Sequence, residues 1–335
     1  MAVEIIRSIN EDEWRNFVDN EPRGNIYHTP EMFRVFEKTE GYDPQLWAAK
    51  DADNNLTALL IAVNITLSKL IPKLTTRAVV FGSILCHSKP EGEAALNVLL
   101  REYRRETQKK VLFTEFRNLS DLERFQPILN SSGFAFEDHL NYLVDLTQSE
   151  ESLWKNIKKS GRQSIRTSRN KGTAVEECTE KEKVKIAYQL LKQVYASVRV
   201  PLAGPSLFES AFDILGPKHM FKILLARTDS RYIGAVLLLL HKGRMIDWYA
   251  GSDREFSAHA PSELLIWHAL EWGSQNGFQI FDFGGAGKPT EDYGPRRFKE
   301  KFGGSKVNYG RNVCIHSPLK MKLSRAGYKL LRKFL

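Results

Sequence analysis

The stretch FDFGGAGKPTEDYGPRRFKEKFGG, Phe281 to Gly304, sets three glycines (Gly284, Gly285, Gly287) at the end of a short apolar run. Arg296, Arg297, Lys299 and Lys301 follow. Glycine N–H groups beside cations are the ingredients of an anion site. A nucleoside-triphosphate loop requires a glycine five positions before the Gly-Lys pair and a hydroxyl after it. Here Asp282 stands five positions before Gly287, and Pro289 follows Lys288. The dinucleotide pattern fails too, since Gly285-Ala286-Gly287 runs into Pro289 and Thr290. Asp282 alternates with Phe281 and Phe283, so it faces the opposite side of a strand, as a cleft carboxylate or as a structural acceptor.

A second cluster is KNIKKSGRQSIRTSRNKG. Lys155, Lys158, Lys159, Arg162, Arg166 and Arg169 fall at offsets 0, 3, 4, 7, 11 and 14, which line one helix face if Gly161 does not break it. Trp154, Ile157 and Ile165 are left to face the core. Helix faces in water ordinarily interleave signs, and this run has no acidic residue. A phosphate backbone is its natural partner, contacted without reading sequence. His259 and His268, nine apart on different faces of one predicted helix, make no metal site.

The elements that must position these residues read as α/β. At 335 residues two domains are expected. The formal charge of +9 points to an anionic partner, though it does not choose among nucleic acid, phosphorylated substrate and membrane. Cys86, Cys178 and Cys314 lie far apart without disulfide or metal spacing, which fits a reducing cytoplasm. The longest apolar run, Ile233 to Leu240, is too short for a membrane helix and reads as a buried strand. The N-terminus lacks the pattern of a signal peptide.

In the first half, EDEWRNFVDN and TPEMFRVFEKT read as helices, the latter with Thr29 as N-cap and Pro30 at N1. Strands LWAAKD, LTALLIAVNIT and AVVFGSIL follow, then a helix from Glu91 to Lys110 with Leu96, Leu99, Leu100 and Tyr103 on one face. VLFTEF is a strand, LERFQPILNSSG a helix ended by Gly133, and AFEDHLNYLVDL a strand pair or one bent strand. The same order returns after Ser149: helices, an antiparallel pair, then strand, helix and strand ending at FQIFDFGG. The recurrence predicts a duplicated α/β unit. The boundary is placed near Asp145, giving domains at 1–145 and 146–316 and a tail at 317–335. In the tail, Leu319, Leu323, Ala326, Leu330 and Phe334 share one side, and Lys320, Lys322, Arg325, Lys329, Arg332 and Lys333 largely take the rest. Such a helix either lies on an anionic membrane or packs its apolar side on the protein.

This order resembles the acetyltransferase (GNAT) unit. The loops equivalent to its coenzyme A pyrophosphate site, SDREFSAHAPSELL and CHSKPEGEAAL, lack the glycine pattern. More specifically, WYAGS, HAPSELLIWHALEWGSQNGFQIFDFGG and FKEKFGG resemble the Fem family of aminoacyl-tRNA-dependent transferases, which build peptide bridges of cell-wall precursors. The resemblance is strongest from Asp247 to Gly304 and thinner elsewhere. It implies two tandem GNAT-like domains, each a mixed, mainly antiparallel sheet flanked by helices, around a shared cleft. It implies aminoacyl-tRNA as co-substrate, a peptide or lipid-linked precursor as acceptor, and no metal or redox cofactor. The expected form is a cytoplasmic monomer, with the tail left between peripheral membrane contact and packing on the protein.

The resemblance also carries residue roles. Lys299, beside Phe298, matches the position where aminoacyl transfer occurs; the competing account is a solvated charge between the packing residues Phe298 and Phe302. Gly284 and Gly285 would end a strand at the cleft and admit close approach of substrate. Tyr249 matches a cleft tyrosine and Arg34 a cation on the acceptor's phosphates. Departures leave the acceptor open. Gly204 stands where a second arginine is expected, Arg199 is displaced from it, Phe208 stands near a family tyrosine, and Arg117 stands where some members have an aspartate. A coenzyme A-dependent N-acyltransferase and a non-catalytic basic binding protein on the same scaffold are the rival readings.

Overall fold

The structure, a computed structural model, describes residues 3–68, 70–229 and 231–334; the side chains of Arg325 and of residues 328–334 lie outside that description. Contacts divide the chain into two units, residues 1–138 with 309–335, and residues 139–308. The first unit opens with strands β1 (Glu4–Ile6), β2 (Tyr42–Lys50), β3 (Leu56–Thr66), β4 (Thr76–Val80), β5 (Leu85–Cys86), β6 (Phe113–Arg117) and β7 (Ala135–Glu137). Its helices are α1 (Glu11–Asn20), α2 (Pro30–Lys38), α3 (Pro72–Thr75), α4 (Pro90–Thr107) and α5 (Gln126–Ser131). The second unit holds β8 (Leu140–Asp145), β9 (Ala174–Glu177), β10 (Phe221–Thr228), β11 (Arg231–His241), β12 (Arg244–Ser252), β13 (Ile280–Asp282) and β14 (Ser305–Asn308). Its helices are α6 (Glu150–Asn156), α7 (Lys159–Asn170), α8 (Lys181–Ser197), α9 (Pro205–Leu215), α10 (Pro261–Gln275) and α11 (Gly294–Lys299). The chain then returns to the first unit as β15 (Arg311–Ile315) and α12 (Pro318–Phe334).

Local chemistry explains the starts and faces of these elements. The Thr29 hydroxyl accepts from Met32 N at 3.2 Å and Pro30 needs no partner at N1, so α2 begins there. Leu96, Leu99, Leu100 and Tyr103 of α4 are all buried, as their spacing predicts. Ile233 to Leu240 of β11 is buried throughout, which is why that strand reads as a continuous apolar run rather than an alternating one.

The two sheets repeat one design. The first runs β1-β2-β3-β4-β6-β15-β7 and the second, read from its far edge, β9-β10-β11-β12-β13-β8-β14. Each has one parallel pair, β4/β6 and β12/β13, bridged by a crossover through α4 or α10. In each, the strand next to that pair comes from the other half of the sequence. β8 lies between β13 and β14, with Phe281 opposite Val144 and Lys306 opposite Tyr142. β15 lies between β6 and β7, with Val313 opposite Glu115 and Asn312 opposite Phe136.

This exchange moves the boundary expected at 145. The crossings fall at 138/139 and 308/309, so β8 belongs to the second unit, and residues 309–316 belong to the first rather than the second. The segment AFEDHLNYLVDL is two strands in different sheets, not a pair. Hydrophobic pattern identifies a strand, but its partner sets its sheet, and neighbours in sequence share no rule for that choice.

Candidate active site

Strands β12 and β13 stay in register from Arg244/Ile280 to Ile246/Asp282 and are not paired beyond it. On the other side of β12 the register slips, Leu237 facing Tyr249 and Leu238 facing Asp247, so Trp248 is the extra residue of a bulge. The splay begins at Asp247 on one strand and Phe283 on the other. Gly284 turns the chain here with φ +73°, and a Cβ on it would lie 2.8 Å from the Asp247 carbonyl oxygen. Glycine is required both by the left-handed backbone and by that approach.

The glycine N–H groups are used internally. Gly284 N donates to Asp282 Oδ1 at 2.8 Å and Gly285 N to Asn141 Oδ1 at 3.0 Å. The irregular backbone leaves carbonyls needing donors, and the cations after the cluster supply them. Lys299 Nζ donates to Phe283 O, and to Gly285 O at 2.6 Å. Arg296 donates to Ala286 O at 2.9 Å, to Pro289 O at 3.3 Å and to Lys288 O. Lys301 pairs with Glu263 at 2.9 Å and Arg297 with Asp292 at 2.9 Å.

Asp247 is the residue the sequence reading missed. Its Oδ1 is buried and has no hydrogen-bond partner. Burial pushes the carboxyl up to about 6; the Lys299 ammonium pulls it down and the Asp282 carboxylate adds to the rise. Burial likewise lowers Lys299, against the pull of Asp247 and Asp282. Tyr195 on α8 is pushed up to about 12, by burial first and then by the charge of Asp247. Its ring lies 5.9 Å from that of Tyr249, which meets Phe208 edge-on at 4.9 Å and Trp248 at 5.1 Å. The splay therefore has an aromatic wall on one side and the Lys299–Asp247 charges at its root. A carboxylate in the otherwise apolar MIDWYAG strand was the signal that could have found it.

The other expected site residues are placed as follows. Asp282 is fully buried, accepting from Asn141 Nδ2 at 2.7 Å, Arg244 Nη1 at 3.1 Å and Gly284 N, so its oxygens are engaged within the protein rather than offered to substrate. Phe298 packs against the core of the second unit, 5.3 Å from Phe302 and beneath the Lys301 ammonium at 5.5 Å. The ring under Lys299 is that of Phe283, at 5.8 Å. Arg199 is exposed at the end of α8 in a left-handed conformation, φ 54°. Arg34 belongs to the first unit and pairs with Glu11. Arg117, also there, bonds Glu115 Oε1 at 2.8 Å.

The basic segment is not one helix. It breaks at Ile157 and Lys158, between α6 and α7, where Lys158 N bonds Lys301 O at 2.7 Å. Gly161 is inside α7, and a Cβ on it would meet Ile157 Cγ2 at 2.7 Å. Arg162 folds back onto the carbonyls of Lys155 at 2.8 Å and Ile157, capping the end of α6. Lys155 pairs with Glu151 at 2.7 Å, Lys158 with Glu300 at 3.2 Å, and Arg169 with Glu271 at 3.9 Å, so the missing acids come from other elements and the preceding turn. Arg166 lies over the Trp154 ring at 5.7 Å, and Lys159 is exposed. Among the described residues no cluster of histidine, cysteine, aspartate or glutamate could hold a metal ion.

Residues 159–300 match the family model described as an acetyltransferase (GNAT) domain. No curated protein matches the sequence. Among solved structures, the chain is similar to FemX, at 16% identity and TM-score 0.73, over 96% of this chain and 100% of that one. It is similar to L-PGS from Bacillus licheniformis, at 13% identity and TM-score 0.60, over 96% and 98% of the two chains. It is also similar to a tandem GNAT protein from the clavulanic acid biosynthesis pathway, at 13% and 0.59, over 95% and 99%. The chain thus has the fold of FemX and of the tandem GNAT protein, and most of its second unit, residues 159–300, matches the acetyltransferase (GNAT) domain model.

Proposed function

We propose that the protein transfers an aminoacyl group from aminoacyl-tRNA to the amine of a peptide or lipid-linked cell-envelope precursor, at the splay between β12 and β13. The observation that carries this reading is a fixed ammonium, Lys299, whose charge is felt by a buried carboxylate, Asp247, one of whose oxygens lacks a hydrogen-bond partner. An ammonium has three donors, and the Phe283 and Gly285 carbonyls take two. The third is left for the oxygen that becomes negative when the acceptor nitrogen attacks the ester carbon. The C–N bond forms as Asp247 takes the proton of that nitrogen. The C–O bond to the tRNA ribose then breaks, and the ribose oxygen receives the proton that Asp247 took, which restores the carboxylate. A carboxyl held near 6 suits this role, since it is ionised at neutral pH yet basic enough to accept a proton. The exposed Lys155, Lys159 and Arg166 supply phosphate contacts for the tRNA, Lys155 exchanging its weak surface ion pair with Glu151 for a stronger one. Every step draws on groups of the chain itself.

A second reading, N-acyl transfer from coenzyme A, is favoured by the GNAT domain match. Against it, the loop entering α10, SDREFSAHAPSELL, has no glycine to let a pyrophosphate approach the backbone. The discriminating experiment gives purified protein labelled aminoacyl-tRNA or labelled acyl-CoA with an extract of small amine acceptors. Label should leave the tRNA for an acceptor, and Lys299→Met should slow this at least about a hundredfold. Transfer from acyl-CoA alone would replace this reading with the second.

A further inference from the structure

Two segments of the first unit, far apart in sequence, expose apolar side chains together. The loop from β3 into α3 carries Leu67, Leu70 and Ile71, exposed at 57%, 93% and 51%. The start of α12 carries Leu319 and Leu323, exposed at 76% and 64%. The two elements are neighbours, since α12 packs beside α3. Five large aliphatic side chains in water on adjacent elements are not explained by the fold, because an isolated soluble surface scatters such residues singly. The helix settles the alternatives left by the sequence in one respect: Leu319 and Leu323, on its apolar side, are not covered by the protein.

The two stretches of sequence that carry this patch hold charges of one sign. Residues 64–77 contain Lys69, Lys73 and Arg77 and no acidic residue. Residues 309–335 contain Arg311, Lys320, Lys322, Arg325, Lys329, Arg332 and Lys333 and again none. Lys73, Lys320 and Lys322 are exposed beside the leucines. No described helix is long and apolar enough to cross a membrane. Aliphatic side chains ringed by lysines match the edge of a bilayer with anionic headgroups, where the leucines enter the acyl boundary and the ammonium groups stay at the phosphates.

We propose that the β3–α3 loop and α12 form one membrane-docking face that binds an anionic lipid surface peripherally. The expected occupant is the bilayer rather than a second copy of the chain, because two such faces would bring like charges together. The test uses the full chain with sedimented vesicles of phosphatidylcholine alone or with phosphatidylglycerol, at low and high salt. Two variant pairs accompany it, Leu70→Glu with Ile71→Glu, and Leu319→Glu with Leu323→Glu. All four positions are exposed, so melting temperatures should stay at the parent value. Binding should require phosphatidylglycerol, weaken with salt, and fall about tenfold or more in each pair. Equal binding by both variants, or none by the parent, overturns the proposal. Loss in the α12 pair with the loop pair unchanged overturns the composite face. Concentration-dependent dimers of the parent that both pairs abolish would assign the patch to self-association instead.

Discussion

The two parallel strand pairs have one geometry and opposite chemistry. In the first unit, β4 and β6 run together from Ala78/Thr114 to Val80/Phe116, and the residue after the last pair on β4 is Phe81. Phe81 stacks on Phe36 at 5.3 Å and Tyr27 at 5.7 Å. The space beyond is filled by the turn at Asn25–His28. Asn25 Nδ2 donates to Gly82 O at 3.1 Å, His28 Nε2 lies 3.2 Å from Ser83 O, and Ser83 Oγ donates to Asn118 Oδ1 at 2.8 Å. Asn118 Nδ2 in turn reaches Asn312 Oδ1 at 2.9 Å. In the second unit the residue in Phe81's place is Asp247, and the splay holds an ammonium, a carboxylate and a buried oxygen with no hydrogen-bond partner. A fold satisfies its buried polar atoms wherever it can, because each orphan costs about 1–3 kcal/mol. The first splay obeys that rule and the second departs from it, which is why the proposed transfer is placed at the second.

The largest effect expected of any alteration tests the strand exchange that builds both splays. Ending the chain at residue 308 removes β15 from between β6 and β7 and leaves Asn118 and Gln126 without Asn312. The first unit should then lose its cooperative melting transition and become protease-sensitive. A chain ending at 317, which keeps β15, should retain both.

Next in size, opposite signs are expected from polar deletions in the two splays. Asn118→Ala should lower stability by about 1–3 kcal/mol in denaturant titrations and leave turnover unchanged. Asp247→Asn should do the reverse. The Asp247 carboxyl is about 6 in the fold against an ordinary 3.8, so between those values the folded chain holds more protons than the unfolded one. Stability therefore falls as pH rises through that window, and the loss persists above it. The asparagine variant escapes this and should be more stable by about 1–2 kcal/mol at pH 7.5, with a flatter profile from pH 4 to 6. Destabilisation by Asp247→Asn would make the two splays alike. The smallest effect belongs to the surface. Neutralising Lys155, Lys159 and Arg166 should reduce the log–log salt slope of tRNA binding by about 0.7–0.9 for each phosphate no longer neutralised, with melting unchanged. Arg162→Ala should instead destabilise, since it caps α6.

Much of this architecture is legible in the sequence. The N-cap at Thr29, the apolar face of α4 and the uninterrupted β11 follow from local pattern, and the recurring element order shows the duplication. The exchange of β8 and β15 is not legible, because alternation in LNYLVD and RNVCI fits either sheet. The glycine cluster and its cations are visible at once, but their meaning is not. Sequence shows cations following glycines; the structure shows Lys299 and Arg296 capping carbonyls of an irregular turn. Asp282 draws the eye in FDFGG and is engaged internally, while Asp247, hidden in a strand that reads as packing, keeps an oxygen without a hydrogen bond.

The pH dependence of single-turnover transfer from labelled aminoacyl-tRNA, in parent and Asp247→Asn, tests the central claim most directly. Protonating Asp247 removes the acceptor for the amine's proton, so the parent rate should fall below about pH 6. The asparagine variant should be slower by about a hundredfold at pH 7.5 and should lack that limb. A variant that keeps both the parent rate and the limb near pH 6 would contradict the account.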